Sequence, residues 1–143
     1  MIFLRVGNGT NFADNASINR IRFALTAAQV GSGVAISQTA PVAGVSARVL
    51  GTGGNVSFTA RGPAGGLANG VQRIAWSQIL PTASAGSLPH PAIGNGVAGA
   101  PATLLAVNGV VDQSATYNFI YANTGPVASG TYNGQVTYTA ALP

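Results

Sequence analysis

Asn-Gly pairs punctuate this chain at Asn8-Gly9, Asn69-Gly70, Asn95-Gly96, Asn108-Gly109 and Asn133-Gly134. Both residues tolerate positive φ, so the pair favours tight turns between short extended segments. The runs between these marks alternate apolar with polar side chains. Ile2, Leu4 and Val6 alternate within 2–6, and Ile21, Phe23 and Leu25 alternate against Arg20 and Arg22 within 19–27. Such period-two patterning puts one face in a core and the other in water. Further runs at 34–38, 44–50, 55–61, 71–76, 103–107, 115–122 and 131–142 bring the set to about nine candidate strands, a spacing suited to a sandwich. The expected fold is all-β, an immunoglobulin-like β-sandwich over 16–143, with a strand and hinge over 1–15. Residues 80–101, with Pro81, Pro89, Pro91 and Pro101, are expected to form a long irregular connection. Gly51-Thr52-Gly53-Gly54-Asn55 is expected to close a hairpin. No helix follows it, so it lacks the helix N-terminus of a phosphate cradle.

A chain of 143 residues has room for one core. Its chemical inventory is sparse, with charged residues at 6% against about 25% in an ordinary soluble domain. Asp14 and Asp112 are the only carboxylates, His90 is the only histidine, and Lys and Cys are absent. A paired-acid glycosidase site would need Asp14 and Asp112 to meet in space. Without Lys there is no Walker-type phosphate loop and no Schiff base, and without Cys there is no disulfide or thiol chemistry. A metal site normally draws on three or four His, Cys or carboxylate donors, which leaves His90, between Pro89 and Pro91, as a turn residue. The expectation is a protein that is not an enzyme and needs no cofactor or metal.

Arg5, Arg20, Arg22, Arg48, Arg61 and Arg73 give a formal charge of +4. That value reflects missing acids more than a basic patch, because no Lys clusters with them and no exposed aromatics interleave, so nucleic acid is not expected as a partner. Trp76, with Tyr117 or Tyr121, is the candidate ligand contact for a sugar platform, although it shares a strand face with Ile74 and so also fits a core. Tyr117, Phe119 and Tyr121 form a period-two aromatic stripe expected in the core. The apolar runs are far shorter than the ~18 residues of a membrane-spanning helix. Residues 1–6 run straight into Gly7-Asn8-Gly9-Thr10, leaving no room for a secretory leader. Either the protein is kept without export or the leader is not part of this sequence.

The stretch Gly130-Thr131-Tyr132-Asn133-Gly134-Gln135-Val136-Thr137-Tyr138-Thr139-Ala140-Ala141-Leu142 places Tyr132, Val136, Tyr138, Ala140 and Leu142 on one face. The other face carries Thr131, Asn133, Gln135, Thr137 and Thr139. This long, one-sided final strand, opened by Gly130, resembles the last strand of chaperone-usher pilins, the subunits of bacterial surface fibres. It is also similar to the tails of small secreted pilin-like proteins. Leu142 stands where pilins usually carry a penultimate aromatic residue.

The resemblance implies an immunoglobulin-like sandwich lacking one strand, with an apolar groove beside a final strand of Gly130, Tyr132, Val136, Tyr138, Ala140 and Leu142. A neighbour's extension would fill that groove by strand addition, main-chain hydrogen bonds giving affinity and alternating side chains giving register. Ile2, Leu4 and Val6 are the candidate donor residues. Because donor and acceptor surfaces differ, the contact propagates into an open homo-oligomeric filament. The implied setting is extracellular, at the bacterial cell surface, with a periplasmic chaperone and usher as assembly partners. Three alternatives stay open: residues 2–6 pair within their own sandwich; the chain is a monomeric carbohydrate- or protein-binding module; or it is a virion decoration or fibre protein. The stretch 7–15, rich in Gly, Asn and Thr, serves as a hinge or as an ordinary loop.

Overall fold

The computed structural model describes residues 1–7, 21–39 and 44–143. In chain order the strands are β1 (Ile2–Val6), β2 (Ile36–Ser37), β3 (Val45–Thr52), β4 (Val56–Gly62), β5 (Leu67–Asn69), β6 (Gln72–Ile74), β7 (Ile79–Ser84), β8 (Ile93–Asn95), β9 (Ala102–Leu104), β10 (Val110–Tyr121) and β11 (Thr137–Ala141). The protein is all-β and sandwich-like, and the sole helical element among the described residues is a 3₁₀ turn at Trp76–Gln78. The first sheet runs β1-β3-β10, with β2 continuing on the β3 side of β10 and β7 on its far side. In the second, β11 lines one edge of β4, and β8 and β9 share the other. Strands β5 and β6 form a separate hairpin.

Period-two burial joins the two sheets. Ala47 and Val49 of β3 and Val111, Ala115, Tyr117, Phe119 and Tyr121 of β10 join Val56 and Phe58 of β4 in one core cluster, which also takes in Leu88 and Leu104. The aromatic stripe is therefore core, as its spacing predicts. At Asn108-Gly109 both residues have positive φ, 52° and 78°, and Val107 and Val110 exchange both main-chain hydrogen bonds across them. That two-residue turn feeds β10, the longest strand.

Four sequence expectations need correction. Ile21, Phe23 and Leu25 are half-buried and alternate with exposed residues, and Phe23 lies 6.2 Å from the ring of Tyr121, yet 21–27 forms no strand. Arg22 makes a single bridge, its carbonyl accepting from the Thr39 N–H at 2.7 Å. Alternation reports burial, and a strand also needs a partner along its length. Residues 80–101 hold β8 and most of β7, because proline is compatible with an edge strand when its missing N–H faces outward. Gly51–Asn55 is no hairpin: β3 and β4 belong to different sheets, and the turn carries the chain between them. Finally, β6 stops at Ile74 and Trp76 opens the 3₁₀ turn rather than ending a strand.

One buried polar side chain organises a loop. Asn123, fully buried, accepts from the Gly31 N–H through Oδ1 at 2.7 Å and donates through Nδ2 to the carbonyls of Gln29 (2.6 Å) and Val34 (3.1 Å). Its own carbonyl accepts from Gly33 at 2.9 Å. A buried amide is tolerated when its hydrogen-bonding capacity is used in this way.

Candidate functional site

Strand β11 begins at Thr137, so the expected twelve-residue strand over 131–142 is a five-residue strand with an irregular approach. Asn133 leaves its line to exchange hydrogen bonds with Ala68 of β5, at 2.8 and 2.9 Å. Beside it, Gly134 packs on Leu67 and Trp76, where a Cβ would lie 2.6 Å from Leu67 Cδ2. Pairing with β5 and close packing on Trp76 therefore pull 131–136 out of the β4 ladder. Within this region Tyr132, Val136, Tyr138 and Ala140 still face inward, half-buried against the core, while Gly130 is exposed and Leu142 is 51% exposed. Tyr132 donates its hydroxyl to the Ala128 carbonyl at 2.8 Å.

The hydrogen-bond directions of β11 follow from those of β4. The carbonyls of Ala60 and Gly62 accept from Gly99 (3.0 Å) and Gly96 (2.8 Å) on the β8 side. Strand groups alternate in direction, so Ser57, Thr59 and Arg61 turn towards β11 and bond to Ala141, Thr139 and Thr137. Tyr138 and Ala140 consequently direct their N–H and C=O groups away from β4. Among the described residues no strand pairs with that outer edge. It carries neither proline nor charge, the usual devices that blunt an edge.

Strand β1 lies next to β11 while belonging to the first sheet. It pairs antiparallel with β3, Ile2 opposite Gly51 through Val6 opposite Ala47. Ile2, Leu4 and Val6 point to the core, half-buried. Of the two placements that the sequence leaves open, this single chain has residues 2–6 paired within its own sandwich. On the other face Arg5 stands opposite Arg48. Asp112 takes the Arg48 guanidinium through two bonds of 3.0 Å, and Arg5 Nε is left buried without a hydrogen bond. The pairing holds Asp112 below and Arg48 above their ordinary pKa values. Asp112 is thus engaged in an exposed ion pair. Asp14, its would-be catalytic partner, and the hinge residues 8–15 lie outside the described residues.

Trp76 is 8% exposed. Its Nε1 donates to the Pro63 carbonyl at 2.8 Å, and its indole lies against Gly62, where a Cβ would collide with the ring. Tyr117 and Tyr121 are buried within the core, so the three rings form no exposed platform. Trp76 does contribute to an open cleft of about 450 Å³, lined also by Ile79, Leu80, Pro81 and Ile93, between β7 and β8.

His90, expected from the sequence as a turn residue, makes contacts that its sequence position does not reveal. Its Nδ1 lies 2.7 Å from the Pro91 carbonyl and its Nε2 lies 2.7 Å from the Tyr138 hydroxyl. A carbonyl only accepts, so Nδ1 carries the proton and Nε2 accepts from Tyr138, the neutral tautomer. Burial pushes its pKa down to about 4, only partly offset by the Pro91 hydrogen bond, and burial likewise pushes the Tyr138 and Tyr117 phenols up. No sequence signal links positions 90 and 138. Among the described residues no group of His and carboxylate side chains could hold a metal ion, and no helix is long and apolar enough to cross a membrane. Comparison with known proteins gives no matching family model, no matching curated protein and no matching solved structure.

Proposed function

We propose that this chain is a non-enzymatic structural subunit of an extracellular filament, joined to its neighbours by exchange of strand β1 in the manner of the pilins that its final strand resembles. The observation that carries the reading is the outer edge of β11. It offers main-chain donors and acceptors at Tyr138 and Ala140 with no proline or charge to deter an added strand, and β1, with its inward Ile2, Leu4 and Val6, lies beside it. Donation of β1 gives up its ladder on β3 of its own chain and forms a new one on the outer edge of β11 in a neighbour, so the balance rests on the hinge and on protein concentration. A periplasmic chaperone and usher would then serve to hold the seam until exchange occurs. The charge-poor, Thr- and Gly-rich surface suits dense packing of identical copies.

The test is the mass distribution of the full chain, unboiled and boiled, beside a chain lacking residues 1–9. Strand exchange gives a ladder at multiples of 14.1 kDa that collapses on boiling and is absent from the truncated chain. A single 14.1 kDa species throughout, or a ladder that persists after truncation, overturns the reading.

A further inference from the structure

Pro89 and Pro91 flank His90 in the connection between β7 and β8. Proline fixes φ and removes an N–H donor, so this connection cannot anchor itself through those two amides. Beside the Leu88 N–H, which donates to the Ser114 carbonyl at 3.2 Å, side chains do the anchoring. Tyr117 of β10 donates its hydroxyl to the Pro89 carbonyl at 2.9 Å, and His90 accepts from Tyr138 of β11. The imidazole meets three rings edge-on: Tyr117 at 4.7 Å, Phe119 at 5.4 Å and Tyr138 at 5.4 Å. Tyr117 and Tyr138 are themselves stacked at 6.3 Å. One histidine therefore ties the connection, the first sheet and the outer strand of the second sheet together.

We infer that His90 is an acid-sensitive latch on β11: neutral, it accepts the Tyr138 hydroxyl and holds the strand, and on protonation it lets the strand open while the first sheet stays folded. The surroundings explain the sensitivity. From β10 it is faced by Tyr117 and Phe119, from β11 by Tyr138, and from its own connection by the Pro91 carbonyl. None of these is a carboxylate, and Asp112 is engaged by Arg48 on an exposed face. A proton on Nε2 would create a buried cation with no counter-charge among the described residues and would force the Tyr138 hydroxyl to turn from donor to acceptor. The folded pKa of about 4 lies below the ordinary 6.5. The latch is therefore fully in force above about pH 6.5, weakens as the pH falls through that value, and is spent below about pH 4. The inference stands on the His90 contacts and needs no strand exchange, although the strand it governs is the one that exchange would use.

His90 is the chain's single histidine, so its Cε1–H resonance reports its titration without ambiguity. The experiment records that resonance, and amide-exchange protection across Thr137–Ala141 relative to β10, in the same samples from neutral to acid pH. The latch gives a His90 midpoint near pH 4. It also gives a loss of β11 protection relative to β10 of up to about 300-fold, the factor expected when the pKa recovers from about 4 to 6.5 on opening. In His90→Gln the pH step disappears. In Tyr138→Phe, which keeps the ring, the His90 midpoint moves towards 6.5 and the step shrinks. A His90 midpoint near 6.5 in the wild-type chain, or β11 protection that tracks β10 across the whole range, overturns the inference whether or not either variant folds.

Discussion

Along one side of the sandwich β1 lies beside β11, and along the other β7 faces β8 across an open cleft; the two sides are finished by opposite means. Phe119 turns its main-chain groups towards Gln38, accepting from the Gln38 N–H at 3.1 Å and donating to the Gln38 side chain at 2.7 Å. Pro81, opposite Phe119, therefore faces outward, where it has no N–H to offer an incoming strand. The cleft beside it is floored by Trp76, held on Pro63 and packed against Gly62 and Gly134. On the β11 side nothing comparable among the described residues guards Tyr138 and Ala140. Side-chain burial there is completed by Ile2, Leu4 and Val6, which belong to a strand that is covalently attached at one end of the sandwich. On the proposed strand-exchange reading, the difference assigns exchange to the seam closed by β1 and not to the seam closed by proline and a buried indole.

Removing residues 1–9 should produce the largest change. Burial of three aliphatic side chains at about 1.5–3 kcal/mol each sets an upper loss of roughly 5–9 kcal/mol, comparable with a whole domain's net stability of about 5–15 kcal/mol. Urea unfolding of the truncated chain should show a midpoint near zero denaturant; an unchanged midpoint would mean that β1 contributes little to the seam. Next comes Trp76→Ala on the guarded side, where loss of a buried indole should cost about 3–5 kcal/mol. Polymer mass should respond only through that lost stability. Asn123→Ala tests a point remote from both seams. It strands the Gly31 amide and the Gln29 and Val34 carbonyls, and should cost about 1–3 kcal/mol, with faster amide exchange at 31–34.

The smallest effects on stability are the sharpest for the comparison. Ala140→Pro gives β11 the protection that β7 already has, because the Ala140 N–H faces away from β4. It should change stability by about 1 kcal/mol while strongly reducing any polymer ladder. The reciprocal Pro81→Ala restores an outward N–H on β7 and should leave the ladder unaltered, since the Trp76-lined cleft still lacks a strand to exchange. If Pro81→Ala increases polymer mass and Ala140→Pro does not reduce it, the two seams have been assigned the wrong way round.

Much of the sandwich was legible because alternation is a direct record of burial. Runs at 44–50, 55–61 and 115–122 correspond to β3, β4 and β10, and the inward set of β10 is the aromatic stripe. Legibility fails where partners rather than burial decide. Ile21, Phe23 and Leu25 alternate correctly without a ladder, and 131–136 alternates yet leaves the ladder because Asn133 finds Ala68. Strand β7 was hidden by Pro81, whose compatibility with a strand depends on lying at an edge. Of the candidate site, the inward faces of β1 and β11 were legible in the residues; their adjacency and the unguarded edge were not. His90 was the clearest miss, since its partner Tyr138 lies 48 positions away.

The amino-acid sequence by itself determined the all-β class, the alternating inward set and the scarcity of reactive side chains, because these depend on residue type and period alone. Only the tertiary structure decided that Gly51–Asn55 crosses between sheets, that β1 closes on β3 beside β11, and that a lone histidine meets a tyrosine of the last strand. The physical reason is that burial is a property a residue carries with it, whereas strand order and side-chain contacts are set by which of several similar strands pair, a choice made over long sequence separations.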